Sequence, residues 1–190
     1  MIRNVFSWLS SNPAHLKQAT LFTINLSGQS LGDAEFLQFT VDEFDRQRIP
    51  PEKVCFELTE SAAITNLAHA NHFIHSLKQL GCSFALDDFG SGLSSFGYLK
   101  TLPVDFLKIA GFFVKDIVND PIDLAMVKSI NEIGQVMGKK TIAEYVESQE
   151  ILTKLRELGV NLAQGYAIGK PERLSKMKLT KERNPTQAHF

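Results

Sequence analysis

Short apolar runs alternate with longer segments whose hydrophobic residues recur every three or four positions, and the two patterns trade places about six times. The first pattern reads as strand buried on both faces and the second as amphipathic helix. Ile2, Val5, Phe6 and Leu9 keep helical spacing up to Asn12-Pro13, with no capping residue before them. Leu21–Leu26 reads as a strand. Asp33 then caps a helix to about Arg48, with Phe36, Leu37, Val41 and Phe44 toward the core, and Pro50-Pro51 stops it. Val54–Leu58 is the next strand, followed by a helix over about Ala68–Leu80 that Gly81 closes. Phe84–Leu86 is a strand, Ser94–Leu99 a short helical turn, and Val104–Ile109 a strand. The pattern ends with a helix over Asp123–Met137, a strand over Lys140–Val146, a helix over Gln149–Leu158 and a last strand over Val160–Ile168. From Ser175 the chain is polar and lysine-rich without an apolar period. This predicts one domain over 1–174 and a poorly ordered tail over 175–190.

Apolar strands without hairpin signals, joined by helices, predict parallel strands with crossover connections. Two architectures satisfy that pattern, a doubly wound sheet and a (β/α) barrel. The chain has no G-x-G-x-x-G and no G-x-x-x-x-G-K-[ST], the commonest nucleotide-binding marks of the first. Polar residues close nearly every strand instead of clustering at one switch point. The prediction is therefore an α/β fold of the TIM-type barrel class, with a site ringed by strand ends.

Composition adds limits. The 190 residues, 44% hydrophobic and 22% charged, suffice for one sizeable core. A net charge of -1 gives no general pull toward DNA, RNA or an anionic membrane, so a nucleotide ligand must be held by local chemistry. Cys55 and Cys82 lie in apolar runs and read as small buried hydrophobes of a reducing compartment. No apolar run approaches the roughly 20 residues of a membrane span.

The strand-end residues are Asn25, Glu57, Asp87, Asp88, Lys108, Glu144 and Gln164. Four carboxylates converging on one mouth stay ionised only if cations neutralise them. An all-oxygen set suits Mg²⁺ or Mn²⁺ better than structural zinc. Asp87 and Asp88 either face one ion each, or Asp87 bridges two. Paired ions of this kind activate water against a phosphodiester, and Lys108 supplies a further point charge. The alternative for Asp87-Asp88-Phe89-Gly90 alone is a strand end running into an Asx-rich turn. A kinase reading fails, because the chain has neither a glycine-rich loop nor H-R-D. His69, His72 and His75 share a helical spacing that makes either a weak metal face or a solvated surface, and the second reading is preferred.

These residues resemble the EAL domain family of cyclic di-GMP phosphodiesterases. The matching motifs are Asn25-Leu26-Ser27, Glu57-Leu58-Thr59-Glu60, Asp87-Asp88-Phe89-Gly90-Ser91-Gly92, Leu102-Pro103-Val104-Asp105 with Leu107-Lys108-Ile109, Ala143-Glu144-Tyr145-Val146-Glu147, and Gln164-Gly165-Tyr166 with Pro171. They run in the family's order from about Phe22 to Pro171. The resemblance implies that Asn25, Glu57, Asp87 and Glu144 ligate metal, that Asp88 reaches a second ion, and that Lys108 positions the attacking water. It implies that Glu60 anchors the Asp87–Gly92 loop, and that Glu147 and Gln164 support the ligands or contact substrate. The implied reaction opens cyclic di-GMP to linear pGpG in a bacterial cytoplasmic setting. A GGDEF or sensor region, or a membrane anchor, then belongs to a longer parent. Dimerisation is usual in the family, and Ser94–Leu99 and Asp116–Asp123 are the candidate segments here.

Three departures qualify that expectation. Nothing in residues 1–20 matches the Glu-Ala-Leu signature, so that segment and the opening strands are expected upstream, leaving an incomplete barrel that is open, distorted or completed by self-association. Residue 110 is alanine where the family reads Lys-Ile-Asp, which weakens the second ion site. Tyr145 stands where the family often has glycine and narrows the mouth. The alternatives to a phosphodiesterase are a degenerate module that binds cyclic di-GMP or a partner without turnover, and a barrel serving another phosphoester or only a structural role.

Overall fold

The computed structural model describes residues 1–92 and 96–177. Six strands lie in one sheet in chain order: β1 (Phe22–Asn25), β2 (Val54–Thr59), β3 (Ser83–Phe89), β4 (Phe106–Ile109), β5 (Lys140–Ala143) and β6 (Leu162–Ala163). The pairs β1–β2, β4–β5 and β5–β6 are parallel. Each strand neighbours the next without the order reversing, which is barrel topology rather than the doubly wound kind. The chain clusters into two compact units. One takes Met1–Ala85 and Ser95–Val104, the other Leu86–Ser94 and Asp105–Phe190, so the break falls inside β3.

In the first unit, α1 (Ile2–Ser11), α2 (Pro13–Gln18) and α3 (Ala34–Gln47) precede β2, and α4 (Glu60–Thr65) and α5 (Leu67–Gln79) follow it. The core is a relay of phenylalanines. Phe6 meets Phe44 at 4.6 Å between ring centroids, Phe56 meets Phe84 at 5.6 Å, and Phe84 meets Phe73 edge-on at 6.5 Å. Each such ring removes a large apolar area from water and gains from tilted or edge contacts. Asp33 caps α3 as its sequence predicts, accepting from the Phe36 amide at 2.9 Å. The inner face of α3 differs from the prediction. Thr40, Glu43 and Phe44 are buried, while Phe36, Leu37 and Val41 are half-exposed. Glu43 can be buried because Arg46 (2.6 Å) and Arg3 (3.2 Å) pair with it, and their guanidinium groups hold its carboxyl below the ordinary carboxylate range. Cys55 and Cys82 are both buried free thiols. The exposed faces of His69, His72 and His75 point to solvent.

In the second unit, α6 (Gly111–Lys115), α7 (Pro121–Val136) and α8 (Gln149–Glu157) flank β4 and β5. The cap of α7 is Asp120, with Pro121 at the first helical position, so the helix starts two residues before the predicted Asp123. Gly134 lets α7 lie close on β5, since a Cβ there would sit 2.7 Å from Thr141 Cγ2. Asn131 donates to the Leu158 carbonyl at 2.8 Å and accepts from the Thr141 hydroxyl at 2.5 Å, so the polar groups buried at this contact find partners.

Two predicted strands are shorter than expected. The strand read over Lys140–Val146 ends at Ala143, and the one over Val160–Ile168 keeps only Leu162–Ala163. Tyr145 takes a left-handed backbone (φ 53) that breaks the extension. Gly165 brings the chain against the Val146 backbone, where the Val146 amide donates to Gln164 O (3.1 Å) and the Ala167 amide to Val146 O (2.9 Å). The chain therefore turns there instead of pairing on. Part of the predicted Ser94–Leu99 turn lies outside the described residues, and Phe96–Lys100 is a 3₁₀ turn. Of the predicted tail, residues 178–190 lie outside the described residues.

Candidate functional site

Parallel strands deliver their C-terminal ends to the same side, and in the second unit ionisable residues lie at or beside those ends. Asp87 and Asp88 precede Phe89, the last residue of β3, Lys108 lies within β4, and Glu144 follows β5 directly. The Lys108 ammonium sits 2.8 Å from Asp87 Oδ1 and 2.8 Å from Glu144 Oε1. Its side chain is 3% exposed, against 17% for Asp87 and 12% for Glu144. A lysine so deeply placed keeps its charge only beside carboxylates. Asp88 turns away from strand geometry at φ 53 and donates its amide to Asp87 Oδ1 at 3.1 Å. This bend puts two adjacent aspartates, which a strand would point to opposite faces, within reach of one centre.

Asp87, Asp88 and Glu144 each offer an oxygen, and these atoms lie within 4.8 Å of one another. It is the one such group among the described residues. Burial is the main force raising the Glu144 carboxyl above its ordinary range. Lys108 opposes it, and the negative charges of Asp87 and Asp88 add to it. Three carboxylates and one ammonium leave a formal excess of two negative charges. An all-oxygen donor set with that excess fits a hard divalent cation.

A cavity of about 330 Å³ opens beside this cluster, lined by Glu144, Tyr145, Glu147, Gln164, Tyr166 and Pro171 among others. Glu144 belongs to both, so cavity and carboxylates are continuous. Glu147 and Gln164 are exposed at its wall.

The remaining predicted residues lie in the first unit. Asn25 and Glu57 stand side by side as register partners at the ends of β1 and β2, Asn25 exposed and Glu57 4% exposed. Glu60 opens α4, is 2% exposed, and accepts the Tyr98 hydroxyl at 2.6 Å. Burial, reinforced by that bond, pushes the Tyr98 hydroxyl well above the usual tyrosine range. Tyr98 carries no sequence signal of this pairing. Its partner is 38 residues away, and no local pattern links them. Ala110 is fully buried at the N-cap of α6, and its amide donates to Phe89 O at 3.3 Å.

With that geometry in view, a sequence profile described as the EAL domain matches residues 1–171. The chain is 48% identical over 175 residues to the cyclic di-GMP phosphodiesterase PdeB of Shewanella oneidensis, covering 92% of this chain and 20% of that protein. The solved EAL domain of Mycobacterium smegmatis DcpA superposes with a TM-score of 0.86 at 29% identity, covering 92% of this chain and 79% of that one. The FimX EAL domain from Pseudomonas aeruginosa bound to c-di-GMP gives 0.81 at 30% identity, covering 90% and 68%. The chain thus spans about a fifth of the length of PdeB.

Proposed function

Because the chain belongs to the EAL domain family, we propose that it is a cyclic di-GMP phosphodiesterase domain that opens one phosphodiester of the ligand to give linear pGpG. The observation that supports this most is the buried Lys108 held between Asp87 and Glu144, at the edge of a cavity large enough for part of a nucleotide. Asp87, Asp88 and Glu144 hold Mg²⁺ or Mn²⁺; the assignment of Asn25 and Glu57 as further ligands follows family membership. When bound, such ions supply positive charge for the phosphoryl oxygens and acidify a water. Lys108 keeps its proton between two carboxylates and presents a fixed positive charge to the water that attacks phosphorus. The attacking oxygen bonds to phosphorus, the ribose oxygen leaves, and one proton passes from the water to that oxygen. Glu144 pairs with the Lys108 ammonium at 2.8 Å and so helps fix that charge where the water attacks. Glu60 ties the segment after the Asp87–Gly92 loop through Tyr98. Glu147 and Gln164 face the ligand from the cavity wall.

A second reading is a module that binds cyclic di-GMP without turnover, and Ala110 favours it. Strand alternation gives residue 110 the same face as Lys108, and an apolar methyl there brings no charge to a second ion. A second copy of the chain is the proposed protein partner, because Phe112, Val118 and Ile122 are 56%, 41% and 70% exposed.

Calorimetric titration of cyclic di-GMP in Mn²⁺, in Ca²⁺ and in EDTA, with the Mn²⁺ samples run out for linear product, tests both readings. Metal-dependent binding with product is the expected result. Binding without product selects the second reading, and no binding in any buffer removes both.

A further inference from the structure

Three residues other than glycine hold a left-handed backbone among the described residues: Arg48, Asp88 and Tyr145. Arg48 terminates α3, where such a conformation is ordinary. Asp88 belongs to the carboxylate cluster. Tyr145 has no such duty, yet it carries the conformation on a bulky side chain, in which it is most disfavoured. Strain of this kind persists where surrounding structure dictates it, and it concentrates at sites of function.

The ring shows what the strain secures. It lies directly over Gly111, where an added Cβ would come 2.6 Å from Tyr145 Cγ. One side of the ring is therefore seated on backbone. The residue nevertheless remains 62% exposed and lines the cavity beside Glu144. Tyr166 lines the same cavity, but the Lys170 ammonium sits 5.6 Å over its ring. Among the described residues no cation or second ring covers Tyr145. The chain thus presents a braced aromatic surface with an open side, next to the carboxylates proposed to hold the ions.

We infer that Tyr145 contacts the ligand, its ring forming a wall of the cavity on which a nucleobase stacks. The inference rests on the phosphodiesterase reading and adds to it a source of affinity peculiar to this side chain. Stacking needs a π-face and no hydroxyl, which sets the test. The full chain and its Tyr145→Phe, Tyr145→Leu and Tyr145→Gly variants are titrated with cyclic di-GMP in Mn²⁺ and in Ca²⁺, and the melting temperature of each is recorded. Tyr145→Phe is expected to bind within about twofold of the parent, while Tyr145→Leu and Tyr145→Gly lose about 5- to 150-fold. Glycine accepts φ 53 without penalty, so Tyr145→Gly is expected to melt no lower than the parent. Equal affinity in Tyr145→Gly and the parent overturns the inference. So does a loss in Tyr145→Phe as large as in Tyr145→Gly, which would assign the effect to the hydroxyl. A lower melting temperature in Tyr145→Gly with affinity unchanged would make the ring only a prop for Gly111 and overturn it as well. Failure of the parent itself to bind overturns the phosphodiesterase reading and this inference together, an outcome distinct from the other three.

Discussion

Ala110 is the residue on which the two proposed readings part. It is the N-cap of α6, a position that favours aspartate, but a methyl cannot accept from the first-turn amides. Ala110→Asp supplies a cap and adds a fourth carboxylate near Asp87, Asp88 and Glu144. In EDTA that added buried charge is expected to destabilise the fold by about 2–4 kcal/mol. With Mn²⁺ the loss is recovered, so the melting-temperature gap between the two buffers should widen by several degrees at roughly 2–4 °C per kcal/mol. An unchanged gap would place residue 110 away from the ions. Asp87, Asp88, Lys108 and Glu144 were legible in the sequence because each interrupts or ends an apolar run, where a charge is out of place without a partner. Tyr98 was not. A single tyrosine in a short turn carries no signal until the fold brings the buried Glu60 to its hydroxyl.

At the scale of elements, strand cores and long helices follow from periodicity, and their ends do not. The centres of β1 to β5 lie inside the predicted runs, and Asp33 and Gly138 mark helix boundaries as their chemistry requires. α2, α4 and α6 have 6, 6 and 5 residues, too few for an apolar stripe to repeat, so pattern alone cannot find them. The end of β6 depends on an approach between chains of atoms distant in sequence. A Cβ on Gly165 would lie 2.7 Å from the Val146 carbonyl carbon. Gly165→Ala is therefore expected to cost about 1–3 kcal/mol by forcing β5 and β6 apart. Hydrogen exchange should show the Val146 and Ala167 amides losing protection first. Unchanged protection would show that the turn has room to shift.

For the whole molecule, charge and exposed apolar residues bear on its state of association. A net charge of -1 offers little repulsion between copies, and the exposed Phe112, Val118 and Ile122 offer apolar surface. Sedimentation of the chain at micromolar concentration is expected to show a dimer, and Ile122→Glu is expected to shift it to monomer without lowering the melting temperature. A monomeric parent would remove the second copy as partner. Among the described residues no helix is long and apolar enough to cross a membrane.

Asp88 and Tyr145 share one arrangement. Each immediately follows a carboxylate of the cluster, and each holds φ 53 on a residue that is not glycine. A laboratory selection for heat tolerance alone would find these two positions early, since glycine relieves the conformation at both. The first exchange would remove a carboxylate and the second a cavity wall. Survivors of such a selection would become more robust while losing the use of the site, so any attempt to harden this chain should keep those two codons fixed.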